Sequence, residues 1–504
     1  MKIGVIGSGI SGIAAAKVLA KAGHDVTVFE RSPAVGGVWA QAYPGVHLQN
    51  VASHYHFSDF PWPFKPELHP TGEEIFRYLK MAVEHYKLKV LLEHEVVALT
   101  EEENGWRAEV KAPGGRVVEQ FDYVIVAVGH YTQDKAELEL PGREQYQGKV
   151  VTERDIRDLS VLENKRVTVV GFGKTAVDMV AFAADRGAEV HHVFRMPRWL
   201  LPQYVGGIHM AKILFARSAT VMIPAWVHPS ELENKLHTEL SGVVDAYWKL
   251  ITFVVRAQTG LHPVHIDAGA RARMRELTPD EPLTFELRAA SALAPKGHYP
   301  NVLSCRVIPV RGQVKALSEA GVVLADGREI ESDLVVIAIG AKGPAFPFLP
   351  ENYRELLESE SDGAQLYRHL VHPRIQRLAF AGFNHGFMHV PTVEIGTLWL
   401  AAHLRGDLVL PSPEEMEGSA AKVADWKRTH SLFEPARAYG TSMRFHQYLD
   451  VLLGDLGLNP RRKKNAFMEW MAAYTADDYR DVEEEYERVR VGRTEPRKPL
   501  ALDT

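Results

Sequence analysis

The stretch Lys2-Ile3-Gly4-Val5-Ile6-Gly7-Ser8-Gly9-Ile10-Ser11-Gly12 decides the fold of this chain. Lys2 to Ile6 reads as a short apolar strand, and Ile13 to Lys21 as an Ala-rich helix. Between them Gly7, Gly9 and Gly12 form G-x-G-x-x-G. Gly7 permits the tight turn, Gly9 admits a pyrophosphate to the backbone, and Gly12 lets helix and strand close on each other. Free N–H groups at the helix N-terminus then face the phosphates. A second strand, Asp25 to Phe29, ends in Glu30, about 20 residues on, where an acid bonds a ribose 2′-hydroxyl. The turn alone would suit an ordinary α/β unit; strand, turn, helix and acid together read as an adenine-dinucleotide site.

The same pattern recurs from about residue 161. Arg166 to Val170 is a strand, and Gly171-Phe172-Gly173-Lys174-Thr175-Ala176 supplies G-x-G-x-x-A at a helix start. Gly171, Gly173, Lys174 and Thr175 are its candidate cofactor contacts. The next strand, Val190 to Phe194, ends in Arg195 where the first unit has Glu30. An acid would repel a 2′-phosphate, whereas Arg195, assisted by Arg198, would pair with one, so the second site reads as NADPH rather than NADH. The bland reading of Arg195 is a solvated charge at a strand end.

The rest of the chain fills in around these units. Thr71 to His85 has helical apolar spacing with acids early, and a meander of strands follows from Val90 to Phe121. Asp122 to Gly129 and Asp333 to Gly340 are matching apolar runs ending in glycine, typical of buried parallel strands. Leu200 to Met274 reads as a helical insertion, and strands resume at Val302 to Val310 and Val322 to Ile330, with a hairpin at Asp326-Gly327. Pro391 to Gly396 opens a further helix whose N-terminus would face an anionic ring edge, and Glu394 is counted there as a cofactor contact. The basic run Arg461 to Lys464 and the acidic run Glu483 to Glu485 read as solvated faces, and the last ten residues as a disordered tail. The division expected is 1–160 for the first part of one nucleotide domain, 161–330 for the second with an insertion at about 200–275, 331–411 for the return to the first, and 412–504 for a helical extension. The fold class is α/β with two dinucleotide-binding domains.

Composition narrows the function. The 504 residues carry a net charge of −6, which offers no basic footprint for nucleic acid. Cys305 is the single cysteine, so intrachain disulfides, a paired-cysteine redox centre and a thiolate zinc site are excluded. The adjacent His191-His192 point to opposite faces of a strand and read as structural, so no metal is expected. The first strand begins at residue 2, leaving no room for a cleaved signal peptide, and a cytoplasmic location is expected. Spans of about 18 or more apolar residues are missing, and the nearest candidates, Met210 to Val227 and Val243 to Val255, read as buried helices. A homodimer is left open.

With these segments placed, the sequence resembles the flavin-containing monooxygenases, the class B flavoprotein monooxygenases that include dimethylaniline monooxygenases. The resemblance rests on Gly7 to Gly12 with Glu30, Gly36-Gly37-Val38-Trp39, Ser58-Asp59-Phe60-Pro61, Gly171 to Asp178 with Arg195, and Phe380-Ala381-Gly382. It implies FAD on the first unit, with Gly37, Val38 and Trp39 among its contacts, and NADPH on a second unit nested within the first. It further implies that NADPH reduces the flavin and that oxygen then forms a flavin C4a-hydroperoxide, from which one atom passes to a small molecule at nitrogen or sulfur. The family's amide beside that oxygen adduct maps to Gln49 or Asn50, either of which could equally be a turn residue. The family fingerprint Phe-x-Gly-x-x-x-His-x-x-x-aromatic falls at Tyr146 to Ile156, with Thr152 in place of His and Ile156 in place of the aromatic. That departure opens alternatives: Baeyer–Villiger oxygenation of a carbonyl, an NADPH oxidase that leaks peroxide, or a flavin-binding protein without turnover. The substrate pocket is expected between the insertion and the loop from Asn384 to Val390.

Overall fold

The computed structural model describes residues 1–130, 135–223, 230–261, 267–289, 292–360, 362–384, 386–430, 440–441 and 443–501. Two five-stranded parallel sheets organise the molecule. In the first, the strands run in the order Leu378–Phe380, Tyr123–Val126, Lys2–Ile6, Asp25–Phe29, Lys89–Leu91. Ile6 lies between Phe29 on one side and Val126 on the other, so the glycine turn leaves from the middle of the sheet. In the second sheet the order is Val307–Arg311, Glu189–Phe194, Arg166–Val170, Leu334–Ile337, Lys149–Thr152. Each sheet has its own three-stranded antiparallel meander, Glu95–Phe121 for the first and Val314–Glu331 for the second.

This pairing moves two expected boundaries. Leu334–Ile337, assigned from sequence to the return into the first domain, pairs with Arg166–Val170 and closes the second sheet. Lys149–Thr152, expected in the first domain, is the edge of that same sheet. The two matching apolar runs are therefore equivalent strands of two similar domains: Tyr123–Val126 flanks the first glycine strand as Leu334–Ile337 flanks the second. Val302 to Val310 also differs from expectation, for His298–Leu303 is helical and the strand starts at Val307.

The helix Gly72–His85 matches its expected span, closed by a capping box in which Thr71 and Glu74 exchange side chain and backbone hydrogen bonds. The insertion is longer than expected. It begins with short strand pairs at Leu200–Leu201 and Tyr204–His209, carries helices through Leu283–Ala289, and returns as Ala292–Leu293 beside Leu200–Leu201. Its long helix Ser241–Thr259 is not buried throughout; Val243, Leu250 and Phe253 stand in solvent. The Met210 to Val227 stretch breaks into short helices, and its last residues lie outside the described residues. No described helix is long and apolar enough to cross a membrane.

The charged runs of the C-terminal extension are ion-paired rather than solvated. Arg462 bonds Glu485 at 2.7 Å, Lys463 bonds Asp478 at 2.7 Å, and Glu483 reaches Lys17 of the first helix at 3.1 Å. The extension thus clamps the first nucleotide domain. Residues 499–501 of the expected tail are held too, the Leu500 N–H donating to buried Asp455 at 2.7 Å, while 502–504 lie outside the described residues.

Candidate functional site

The first site is a backbone construction. Gly7 has φ of +107°, and a Cβ there would sit 2.5 Å from the Ala127 carbonyl oxygen. At Gly12 a Cβ would meet the Gly7 carbonyl oxygen at 1.9 Å, which is the close helix–strand packing expected of the third glycine. Gly9 caps the helix Ile10–Lys21, and a Cβ there would find only Gly37 Cα, at 3.8 Å. The Gly36 N–H donates to the Ser8 carbonyl at 2.9 Å, laying the Gly36–Trp39 loop directly on the glycine turn. Two backbones without side chains therefore border the helix N-terminus, a cradle that fits the pyrophosphate of FAD.

Glu30 is buried at the end of its strand and bolted to the same turn. One carboxylate oxygen accepts from the Ser8 N–H (2.9 Å) and hydroxyl (2.8 Å), the other from the Ser32 N–H (2.9 Å). Each carboxylate oxygen keeps acceptor capacity beyond these bonds. Trp39 donates its indole N–H to the Tyr55 hydroxyl at 2.9 Å, which packs it against the domain, while Val38 is exposed. The helix His389–Leu404 brings its N-terminus to the same place, with His389 Nε2 3.0 Å from the Ser11 hydroxyl. Burial holds His389 and His130 down to about 4, so both are neutral imidazoles.

Glu394 differs from expectation. It lies in the second turn of that helix, and its carboxylate is 2.6 Å from Lys17 Nζ and accepts from the Ser58 N–H. Asp59 takes the same ammonium at 2.7 Å. Glu394 and the Ser58–Asp59 pair therefore anchor the first helix, and the Glu394 carboxylate is spent there rather than on a cofactor. Lys17 was not among the sequence candidates. Its signal was a lysine between Ala16 and Val18 in an apolar helix.

The second site repeats the first. Gly171 has φ of +127°, with the Ala338 carbonyl oxygen 2.3 Å from where a Cβ would lie. A Cβ on Gly173 would meet nothing within 4 Å, so the space above the helix Lys174–Asp185 is open to a ligand. Thr175 lies half-buried in its first turn, and Lys174 pairs with Asp178, which also accepts from Tyr43 of the first domain at 2.8 Å. Arg195 is exposed at the end of its strand. Arg198, expected to assist it, donates from Nε to the buried Glu286 at 3.1 Å. His192 is buried and bonded to the Gly171 carbonyl at 2.7 Å, and the described residues contain no cluster that could hold a metal.

The two candidate amides point different ways. Asn50 Nδ2 donates to the Phe387 carbonyl at 2.6 Å, in the turn leading into His389. Gln49 Oε1 accepts from the Leu293 N–H of the second domain at 2.9 Å. His69 fixes the loop between them by donating from Nδ1 to the Leu48 and Asn50 carbonyls, both at 3.1 Å. Thr152 turns its N–H and hydroxyl onto Asp155, each at 2.8 Å, and Ile156 is packed in the core of the second domain. His385 of the expected substrate loop lies outside the described residues.

Two dinucleotide folds, the second strand of one ending in an acid and that of the other in an arginine, define a two-dinucleotide-binding flavoprotein. Comparison with known proteins narrows the class. The chain belongs to the flavin-binding monooxygenase-like family, whose model matches residues 1–241 and 290–470. It is 28% identical to a probable flavin-containing monooxygenase 1 of Arabidopsis thaliana, over 96% of this chain and 97% of that one. To the dimethylaniline monooxygenase [N-oxide-forming] 2 of Oryctolagus cuniculus it is 24% identical, over 91% of this chain and 83% of that one. Among solved structures, closed cyclohexanone monooxygenase superposes with a TM-score of 0.65 at 19% identity, covering 97% of both chains. An S-allyl-L-cysteine S-oxygenase from Allium sativum gives 0.62 at 19% identity, covering 98% of this chain and 93% of that one. At that identity the likeness is one of fold. The protein is an NADPH-dependent flavoprotein monooxygenase that uses FAD.

Proposed function

We propose that this enzyme transfers one atom of molecular oxygen to a soft nucleophile, an amine nitrogen or a sulfur, on a small organic substrate. The observation that carries the reading is Asn50. Its amide is fixed to Phe387, beside the helix end where Ser11 and His389 meet, and so borders the seat of the flavin. FAD, when bound, supplies hydride acceptance and oxygen activation. The chain does the rest. Gly7, Gly9, Gly12 and Gly37 hold the pyrophosphate, Glu30 the ribose, and Gly171, Gly173, Lys174 and Thr175 the phosphates of NADPH. Tyr43 docks one domain on the other, and the neutral His130 and His389 keep a second ionised group out of the buried centre. The N-oxide-forming relative supports nitrogen as the acceptor.

N,N-Dimethylaniline turnover under ¹⁸O₂ tests this. One ¹⁸O per molecule of N-oxide, with NADPH consumed in equal amount, is the expected result. Stoichiometric peroxide without oxygenated product would reject it and point to Thr152 and Ile156, which give the fingerprint neither a histidine nor a terminal aromatic. An ester from cyclohexanone under the same conditions would favour carbonyl oxygenation instead.

Arg195 is assigned the 2′-phosphate of NADPH. A charge-assisted contact of that kind contributes roughly 1.5–3 kcal/mol. Arg195→Ala is therefore expected to raise KM for NADPH by about 10- to 100-fold while leaving KM for NADH nearly unchanged. Equal effects on both coenzymes would remove the assignment.

A further inference from the structure

A cavity of about 200 Å³ lies between the insertion and the C-terminal extension. Thr220, Val221 and Glu233 of the insertion form one wall, and Gln447, Val451 and Trp470 of the extension the other. Its polar groups are out of balance. Arg217 is satisfied, bonding both oxygens of Asp450 at 2.7 Å and Glu469 at 2.5 Å. Glu233 is buried and accepts from the Ser230 N–H and hydroxyl and from Gln447 Nε2 at 3.0 Å, but has no cationic partner among the described residues. Gln447 is itself more than nine-tenths buried, and its Oε1 has no hydrogen-bond partner among the described residues.

Glu233 and the unpartnered Gln447 Oε1 thus present acceptors to a space whose apolar surfaces are Val221, Val451 and an indole ring. Arg461, the other guanidinium of the lining, is shared between Glu469 at 3.8 Å and the Trp470 face. Glu233 sits in the first turn of its own helix, and the two guanidiniums of the lining, Arg217 and Arg461, pair with Asp450 and Glu469 rather than with it. A buried carboxylate is stabilised most by a partnered cation.

We infer that this cavity binds a small protonated alkylamine, its ammonium between Glu233 and Gln447 Oε1 and its chain against Val221, Val451 and Trp470. The site is separate from the nucleotide cradles and does not depend on which atom the enzyme oxygenates.

Isothermal titration of the FAD-loaded enzyme with n-butylammonium chloride, n-butanol and sodium butyrate tests the inference. Butylammonium is expected to bind, and the isosteric alcohol and the carboxylate not. Glu233→Gln keeps a residue that can complete the helix cap and is expected to weaken butylammonium binding at least tenfold. Val451→Trp fills the cavity and is expected to abolish it. Flavin reduction by NADPH serves as the control and is expected to be unchanged in both variants. Should the tryptophan variant fail to fold, Glu233→Gln alone decides. Equal binding of butanol or butyrate, no binding of butylammonium, or unchanged affinity in Glu233→Gln would overturn the inference.

Discussion

Gly12→Ala is expected to yield a protein that retains no FAD and loses about 3 kcal/mol of stability or more. The added Cβ would lie 1.9 Å from the Gly7 carbonyl oxygen and 3.0 Å from its carbon, and backbone cannot rotate aside as a side chain can. Either the turn opens or the helix Ile10–Lys21 moves off the sheet. The helix cannot move cheaply, because Ile13 to Ala16, Val18 and Leu19 are buried against the sheet and the helix His389–Leu404. The loss falls on the cofactor as well, since the turn aims the helix N-terminus. Gly9→Ala is the contrast: its Cβ clashes with nothing in the protein and should spare the fold while still displacing the pyrophosphate. Flavin absorbance per mole of purified protein, with thermal melting of each variant, separates the two. A Gly12→Ala enzyme with full flavin content would refute the argument. The second unit shows that the requirement is local, because Ala176 stands fully buried in the place of the third glycine there.

Both nucleotide units were legible because their signals are short-range. A strand, a glycine turn and a helix lie within about twenty residues of one another, and the glycines are needed for backbone reasons that any such site shares. What sequence order could not give was pairing between distant segments. Leu334–Ile337 reads as a buried strand from its composition, but only its partner, Arg166–Val170, says which sheet it closes. Glu394 looked like a cofactor contact from its place near a helix start. Its true partner, Lys17, is more than 370 residues away, and one lysine on an alanine-rich face carries no pattern of its own. The basic and acidic runs of the extension failed for the same reason: each was a plausible solvated face until the other, and Lys17, were brought alongside.

Lys17→Met should be among the most destabilising substitutions in the extension–domain interface. Lys17 is 3% exposed, with Glu394 at 2.6 Å, Asp59 at 2.7 Å and Glu483 at 3.1 Å. Burial opposes its charge, but the three carboxylates outweigh that and raise its pKa. Removing one partner of a buried ionic cluster costs about 3–5 kcal/mol, because the remaining charges stay desolvated. Lys21, half exposed and 3.0 Å from Glu483, relieves that residue but makes no ion pair with Glu394. The loss should also depend on pH. Burial pushes Glu394 up to about 7 even with the ammonium beside it, and without Lys17 its pKa rises further. A carboxyl whose folded pKa lies above its unfolded value binds more protons in the folded state, so stability falls as pH rises through that window. Lys17→Met should therefore lose most near pH 8 and distinctly less near pH 5, where Glu394 is protonated and neutral. Asp59, held down at about 2, acts in the opposite sense only in strong acid, below the range of the comparison. Urea unfolding at the two pH values measures the effect, and adding Glu394→Gln to Lys17→Met should recover part of the loss at pH 8. A deficit larger at pH 5 than at pH 8, or no recovery in the double variant, would show that Lys17 acts through packing alone.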